Sequence, residues 1–328
     1  MNILVLYDID SAWEDFEVTE ARKSTNYLYE SLKAEGVEAR IAELNNSDLE
    51  GILKKYNPSE TIIFNLCETL PGIPASEIKV LETIEKMGFT YTGNGPEVME
   101  LSYNKKKCKE YLSKFEIPVP AGSILRQDEA DIWTLFPSIV KPASEHCSLT
   151  ITDKSVVYNT TALKEQISLV NSRLKQPALV EDFIDGREFH VSVWNNSPPE
   201  MLPPAEMDFS AFSEQSKRLC TYDSKFIPGS EHYEKIETII PALLNEKQSA
   251  ELERIVIGAW KGVGCRDYAR FDLRMRDDTF YLLDINPNND ISFDTSFAMA
   301  AELSGYSYGQ LVKKIVMMAA ERHPVFGK

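Results

Sequence analysis

The chain has 328 residues and carries 35 Lys and Arg against 51 Asp and Glu, a formal net charge of −16. That length exceeds one simple hydrophobic core and implies two or three domains, while 43% hydrophobic and 26% charged residues rule out wholesale disorder. The acidic balance argues against nucleic acid or an anionic membrane as partner, since either needs clustered Lys and Arg.

No apolar run approaches the roughly 18 residues that span a bilayer. Met1–Asp8 has no cationic leader region and reads as a strand, so the expected compartment is the cytoplasm. Cys67, Cys108, Cys147, Cys220 and Cys265 are scattered and never in Cys-x-x-Cys pairs, which disfavours a disulfide framework or structural zinc. His146, His190, His232 and His323 lack metal-helix spacing, and a Ser–His–Asp triad has little support.

In chain order, Ile3–Tyr7, Val37–Ile41, Thr61–Asn65 and Phe89–Tyr91 read as strands, separated by helical patterns over Thr19–Glu35 and Pro74–Met87. Such alternation predicts a parallel, helix-covered sheet in a first domain, residues 1–98. No Gly-x-Gly-x-x-Gly follows the first strand, so a dinucleotide site is not supported. A helix bearing Lys105, Lys106, Lys107 and Lys109 follows, broken at Ile117-Pro118-Val119-Pro120. Ser138–Pro142, Thr150–Thr152 and Ala178–Glu181 read as strands and Thr161–Asn171 as a helix, a small α+β lobe over 99–181. The third unit, 182–328, holds strands at Glu188–Trp194, Met201–Phe209, Tyr268–Met275 and Phe280–Asn286, with helices over Lys247–Gly262, 294–303 and 308–321. The fold class is therefore α/β followed by α+β.

Chemistry concentrates in the last two strands. Side chains alternate faces along a strand, so Arg270 and Asp272 share one face, with Ala269, Phe271, Leu273 and Met275 on the other. Asp284 and Asn286 share a face of the next strand, backed by Tyr281, Leu283 and Ile285. Two carboxylates and an amide oxygen on one face form either a hard-oxygen site suited to Mg²⁺ or a polar, solvated hairpin. Facing carboxylates require an odd-length loop or a bulge around 276–280, because a two-residue turn at Asp277-Asp278 would pair Asp272 with Leu283. Lys141, between a short strand and Pro142, is either a fixed point charge for phosphate or an ordinary surface lysine. Lys105 is a second such cation or part of a solvated helical face. The acidic, glycine-containing hinge Glu181–Glu188 either accepts hydrogen bonds from ribose and adenine or is a plain acidic turn.

The order of these features resembles the ATP-grasp superfamily, in its D-alanine–D-alanine ligase-like branch, over nearly the whole chain. YTGNGPEVMELSYNKKKCKEYL is similar to the family's Tyr-Thr-Gly segment and first nucleotide lysine, and FPSIVKPASEHCS to its second lysine and phosphate loop. ALVEDFIDGREFHV resembles the adenosine hinge, LPPAEMDF and YDSKFIPG the middle of the core, and YARFDLRM with YLLDINPN the magnesium hairpin.

The resemblance implies an ATP-grasp fold behind a Rossmann-like N-terminal domain, and an ATP-dependent carboxylate–amine ligase working through an acyl phosphate. Lys105 and Lys141 would contact ATP phosphates. Glu181, with the backbone through Phe183 and Ile184, would serve adenine, Glu188 the ribose, and Lys225 the nucleotide. Asp272, Asp284 and Asn286 would hold Mg²⁺, with Mn²⁺ as the substitute ion. Arg270 would face the reacting carboxyl and phosphate, and Glu17 would match a substrate-amine glutamate or serve as a helix-start carboxylate. Cys147 falls where the family places a substrate-positioning serine, and Ser148 beside it is a further substrate-binding candidate. Substrates would be small amino acids or peptides, and the family's usual assembly is a homodimer. Tyr222–Gly229 is the candidate lid.

Two departures bear on substrate. The phosphate loop, Glu145–Thr150, has no glycine, and Asn286 is followed by Pro287-Asn288-Asn289-Asp290 where the family has a Pro-Gly-Met-type segment leading to the acceptor carboxylate. Asp290 would repel that carboxylate or turn away to cap the following helix. A phosphotransferase of the same fold, or a nucleotide-binding protein without catalysis, are the alternatives.

Overall fold

The computed structural model describes residues 1–144, 151–227 and 229–327. The chain begins with β1 (Asn2–Asp8), α1 (Asp15–Ala34), β2 (Ala39–Leu44), α2 (Leu49–Leu53), β3 (Thr61–Asn65), α3 (Glu77–Lys86) and β4 (Thr90–Tyr91). β1 beyond Asn2 and all of β3 are buried, as expected of strands covered on both faces. The sheet is parallel in the order β2-β1-β3-β4. Leu4, Leu6 and Ile63 pack on Leu53, Val80 and Ile84 on one side. On the other, Ile3, Val5 and Phe64 pack on Leu28 and Leu32 of α1 and on the two C-terminal helices, through Phe297, Leu311 and Ile315.

The single lysine-bearing helix expected next is two, α4 (Pro96–Tyr103) and α5 (Lys105–Leu112). Asn104 leaves helical geometry at φ −94° and ψ 84°, and its side chain accepts a hydrogen bond from Lys107 N at 3.0 Å. Capping by a short amide ends one helix and starts the next. Val98 and Met99 within α4 belong to different hydrophobic clusters, so this helix packs against both.

β5 (Gly122–Leu125), β6 (Ser138–Pro142), β7 (Val156–Val157) and β8 (Ala178–Asp182) form an antiparallel sheet in the order β5-β8-β6-β7, backed by α6 (Thr160–Leu174). The strand expected at Thr150–Thr152 is not there. Residue 150 lies outside the described residues, Ile151 and Thr152 are not extended into a ladder, and the edge pairing falls to Val156–Val157 instead.

The rest of the chain contains β9 (Arg187–Asn195), β10 (Pro199–Met201), β11 (Ala205–Asp208), α7 (Asp223–Phe226), α8 (Glu231–Lys235), β12 (Glu237–Ile239), α9 (Glu246–Val263), β13 (Tyr268–Arg276), β14 (Thr279–Asn286), α10 (Ser296–Leu303) and α11 (Tyr308–Ala320). Its sheet runs β12-β11-β9-β13-β14, with β10 also on β9, and every pairing is antiparallel. The expected strand Met201–Phe209 is split in two around Leu202-Pro203-Pro204, where prolines cannot donate to a ladder.

The β13–β14 hairpin meets the pairing requirement by a different route from the one expected. Asp277 and Asp278 do form a two-residue turn, both with positive φ (52° and 57°), and Arg276 pairs with Thr279. The bulge lies at Leu283, where the register shifts so that Leu273 opposes Leu282 and Asp272 opposes Asp284. One extra residue exchanges the faces on its two sides. Phe280, Leu282 and Ile285 therefore enter the core, whereas Tyr281 and Leu283, expected to back the carboxylates, do not.

Candidate active site

The second and third sheets face each other across a cleft of about 900 Å³, counted out to its open mouth. β6 contributes Ile139 and Lys141, β8 and the turn after it Glu181 to Ile184, β9 Glu188 and His190, and the β13–β14 hairpin Asp272, Arg274, Leu283, Asp284 and Asn286.

The hairpin forms one wall. Arg270 donates to Asp272 through Nε at 2.7 Å and Nη2 at 3.0 Å, and Asn286 Nδ2 donates to Asp272 Oδ2 at 2.9 Å. Lys105 Nζ donates to Asp284 Oδ1 at 2.6 Å. A lysine in the first turn opposes the helix dipole, so the site, not the helix, accounts for Lys105. Burial works against charge on Asp284, but Lys105, Lys141 and Lys109 outweigh it and hold the carboxyl far below its ordinary range.

Above the hairpin, Glu181 is almost wholly buried and bonded to Lys109 Nζ, with Lys141 Nζ at 3.3 Å from its other oxygen. Burial opposes the Lys141 charge, yet Glu181 and Asp284 raise its pKa overall, so the ammonium stays charged. Lys141 is thus no ordinary surface lysine, and Lys105 does not lie on a solvated face. Lys109 was missed as a site residue. Its signal was the i, i+4 spacing from Lys105, which puts both on one helix face.

Glu188 accepts from Arg274 Nε at 2.7 Å, with His190 Nε2 at 3.5 Å. Burial raises the Glu188 carboxyl, and Arg274 and His190 more than reverse that, leaving it well below the ordinary range. Arg274, also missed, is 2% exposed, donates to the carbonyls of Ile184 (3.0 Å) and Arg218, and lies over the Phe183 and Phe209 rings at 5.0 and 5.3 Å. Arg276 grips Asp182 at 2.6 and 3.1 Å. Two arginines of β13 thus pin the β8–β9 turn. Gly186 is required in it, since a Cβ there would stand 2.0 Å from the Met275 carbonyl oxygen.

A second cavity, about 920 Å³ to its mouth, opens where the chain leaves β14, between Asn288–Ser292 and the N-terminal sheet. Asp290 lines it, while its Oδ1 also accepts from Ser292 N and Oγ at 2.8 and 2.7 Å. The loop is anchored by the Tyr-Thr-Gly segment. Asn94 Nδ2 donates to the Tyr268 and Pro287 carbonyls, and Asn94 N to Asn288 Oδ1 at 2.7 Å. Gly93, at φ +89°, admits that approach, because a Cβ would lie 2.4 Å from Asn288 Oδ1.

Other expected residues are not brought to these cavities. Glu17 closes a capping box, accepting from Glu14 N at 2.8 Å, and lines neither one. Cys147 and Ser148 lie outside the described residues, as does the Lys225 side chain. Among the described residues no helix is long and apolar enough to cross a membrane.

The oxygens of Asp272, Asp284 and Asn286 are hard donors on one wall, a set that fits Mg²⁺ better than softer ions. Two sheets closing on a lysine–carboxylate cleft define the ATP-grasp class of enzyme. Residues 122–317 match the family model described as the D-ala D-ala ligase C-terminus. The chain is 30% identical over 285 residues to the uncharacterized protein y4sG of Sinorhizobium fredii, covering 83% of this chain and 80% of that one. It is 29% identical over 303 residues to the D-alanine–D-alanine ligase of a Marinomonas species, covering 89% and 90%. The crystal structure of the Bacillus anthracis D-alanine–D-alanine ligase complexed with ATP has the same fold, with a TM-score of 0.75, 19% identity and 98% of each chain covered. The chain belongs to the D-alanine–D-alanine ligase family and is an ATP-dependent ligase of that kind.

Proposed function

We propose that the protein joins a carboxylate to an amine through an acyl phosphate, and that its substrates are not two molecules of D-alanine. The observation carrying the reading is the wall on which Asp272 and Asp284 face Lys105 and Lys141. Lys105 and Lys141 hold the ATP phosphates and offset charge as the γ-phosphoryl passes to the substrate carboxylate. Phe183 and Ile184 bound the adenine, Glu181 accepts from its amino group, and Glu188 accepts from ribose hydroxyls. The family resemblance, not an observed contact, assigns Lys225 to the nucleotide and the segment Tyr222–Gly229 to the lid.

Asp272, Asp284 and Asn286 would hold Mg²⁺, or Mn²⁺ in its place, which supplies positive charge to the phosphate oxygens. Arg270, held in line by Asp272, presents its planar fork to the reacting carboxyl and then to the tetrahedral intermediate. Amine attack on the acyl phosphate expels phosphate and leaves an amide. The paired sheets limit water around an intermediate that hydrolyses readily.

Departure from D-alanine rests on Asp290. It lines the cavity beside Asn286 together with other carboxylates, so an acceptor carboxylate entering there meets like charge. Incubation with ATP, Mg²⁺ and a pooled amino-acid library, followed by phosphate release and mass spectrometry, tests the reading. An amide product with ADP is expected, and D-alanine alone should release little ADP. A phosphorylated product would establish the phosphotransferase, and ATP binding without turnover a non-catalytic nucleotide-binding protein.

A further inference from the structure

The second cavity has an unbalanced lining. Asp8, Glu68, Glu77 and Asp290 border it, and among the described residues no Lys, Arg or His does. None of the four carboxylates has an ion-pair partner among the described residues. Three of them accept from neutral donors: Glu68 N and Thr69 Oγ1 for Asp8, Tyr103 OH and Asn288 Nδ2 for Glu77, and Ser292 for Asp290. Arg270, which lines neither cavity, interacts with Asp290 electrostatically but forms no ion pair with it. Natural proteins seldom gather carboxylates without a cation, because each raises the cost of ionising the next.

A separate observation concerns Asn289. It is 7% exposed and lines the same cavity, its Nδ2 donates to the Asp290 carbonyl, and its Oδ1 has no partner among the described residues. A buried acceptor left unmatched carries a desolvation cost that only an N–H or O–H donor removes. Trp13, Tyr268 and Tyr308 supply ring surface beside it. Carboxylates, an idle carbonyl-type oxygen and aromatic faces together form a receptor for an organic ammonium group. The cavity is far larger than a bare metal ion needs.

We infer that this cavity receives a cationic amine of the substrate, so that the enzyme acts on a diamine or a basic amino acid and not on a neutral one. The inference rests on the ligase reading for its position next to Asn286, and on the cavity alone for its charge preference. The Arg270 fork is then left for the carboxyl end of the reaction, and the ammonium lies beyond Asn288. Enclosure by protein, then the neighbouring Glu77, Asp8 and Asp290, raises the Glu68 carboxyl, although its surface is open to the cavity. An arriving ammonium relieves that repulsion.

Calorimetry on the full chain, saturated with Mg²⁺ and a non-hydrolysable ATP analogue, tests this with lysine, ornithine and 1,5-diaminopentane against norleucine and glutamate. The cationic ligands should bind at least about tenfold tighter than norleucine, and glutamate should not bind. Glu68→Gln and Asn289→Leu should each cut that preference by at least about threefold, with nucleotide binding confirming that the variants fold. Equal affinity for norleucine and lysine, no binding of any cationic ligand, or a preference untouched by both substitutions overturns the inference. Phosphate release with ATP and the same ligands separates it from the ligase reading. Preferred binding of lysine without phosphate release sinks the ligase reading and keeps the cationic cavity. Turnover with norleucine or alanine, and none with basic ligands, does the reverse.

Discussion

Lys141→Ala removes a side chain with two jobs that can be measured apart. Its ammonium lies 3.3 Å from Glu181, a carboxylate 1% exposed, and its own side chain is 12% exposed. Stripping one partner from a buried ion pair costs about 3–5 kcal/mol when the remaining charge is left alone. Here Lys109 stays bonded to Glu181, so the expected loss of stability is nearer 1–3 kcal/mol, about the desolvation cost of one unmet buried group. The second loss is to nucleotide. A charge-assisted phosphate contact contributes about 1.5–3 kcal/mol, which weakens Mg·ATP binding by about 10- to 150-fold. Urea unfolding reads the first quantity and calorimetry at a temperature where the variant remains folded reads the second. Lys106→Ala is the comparison, since Lys106 is 44% exposed and paired only at 3.7 Å with Glu110 one turn on. It should change ATP affinity by less than about twofold. Equal effects of the two substitutions would remove Lys141 from the nucleotide site, and loss of stability without loss of affinity would leave it structural.

Arg274→Met leaves the buried Glu188 carboxylate with only His190 nearby and frees the Ile184 and Arg218 carbonyls, so it should destabilise the chain by about 3–5 kcal/mol in urea unfolding. A change within about 1 kcal/mol would mean that Arg274 does not organise the hinge. Glu77 tests linkage. Burial, opposed by the Tyr103 hydroxyl and Asn288 amide, pushes its carboxyl up from 4.5 to about 7. Between those values the folded chain keeps a proton that the unfolded chain has lost, so this group's contribution falls as pH rises through that window and is level above it. Glu77→Gln should therefore flatten the decline in urea midpoint between about pH 5 and pH 8, and an unchanged slope in the variant would refute the assignment.

How much of this was written locally depends on the distance between partners. Period-two alternation put Arg270 and Asp272 on one face before any partner was known, and the backbone keeps that arrangement. The parallel first sheet, the Ser138–Pro142 strand and the β13–β14 hairpin were legible from apolar runs and turn residues, because those signals act within a few residues. Residues separated far along the chain were not legible in the same way. Lys105 meets Asp284 across 179 residues, Arg274 meets Glu188 across 86 and Lys109 meets Glu181 across 72. On its helix Lys109 has the same local pattern as a solvated lysine, and only the strand packed against it makes it a buried one. The hairpin shows the division within one element: the metal-site reading of the sequence required the two carboxylates to face one another, but the choice of Leu283 for the bulge belonged to the packing of Phe280 and Leu282 into the core. The second cavity was decided the same way, since its walls come from the first strand, the segment after the third and the loop after the last. The sequence by itself determined which groups could do chemistry. The tertiary structure decided which of them meet, because burial and pairing energies depend on neighbours that no local window of sequence contains.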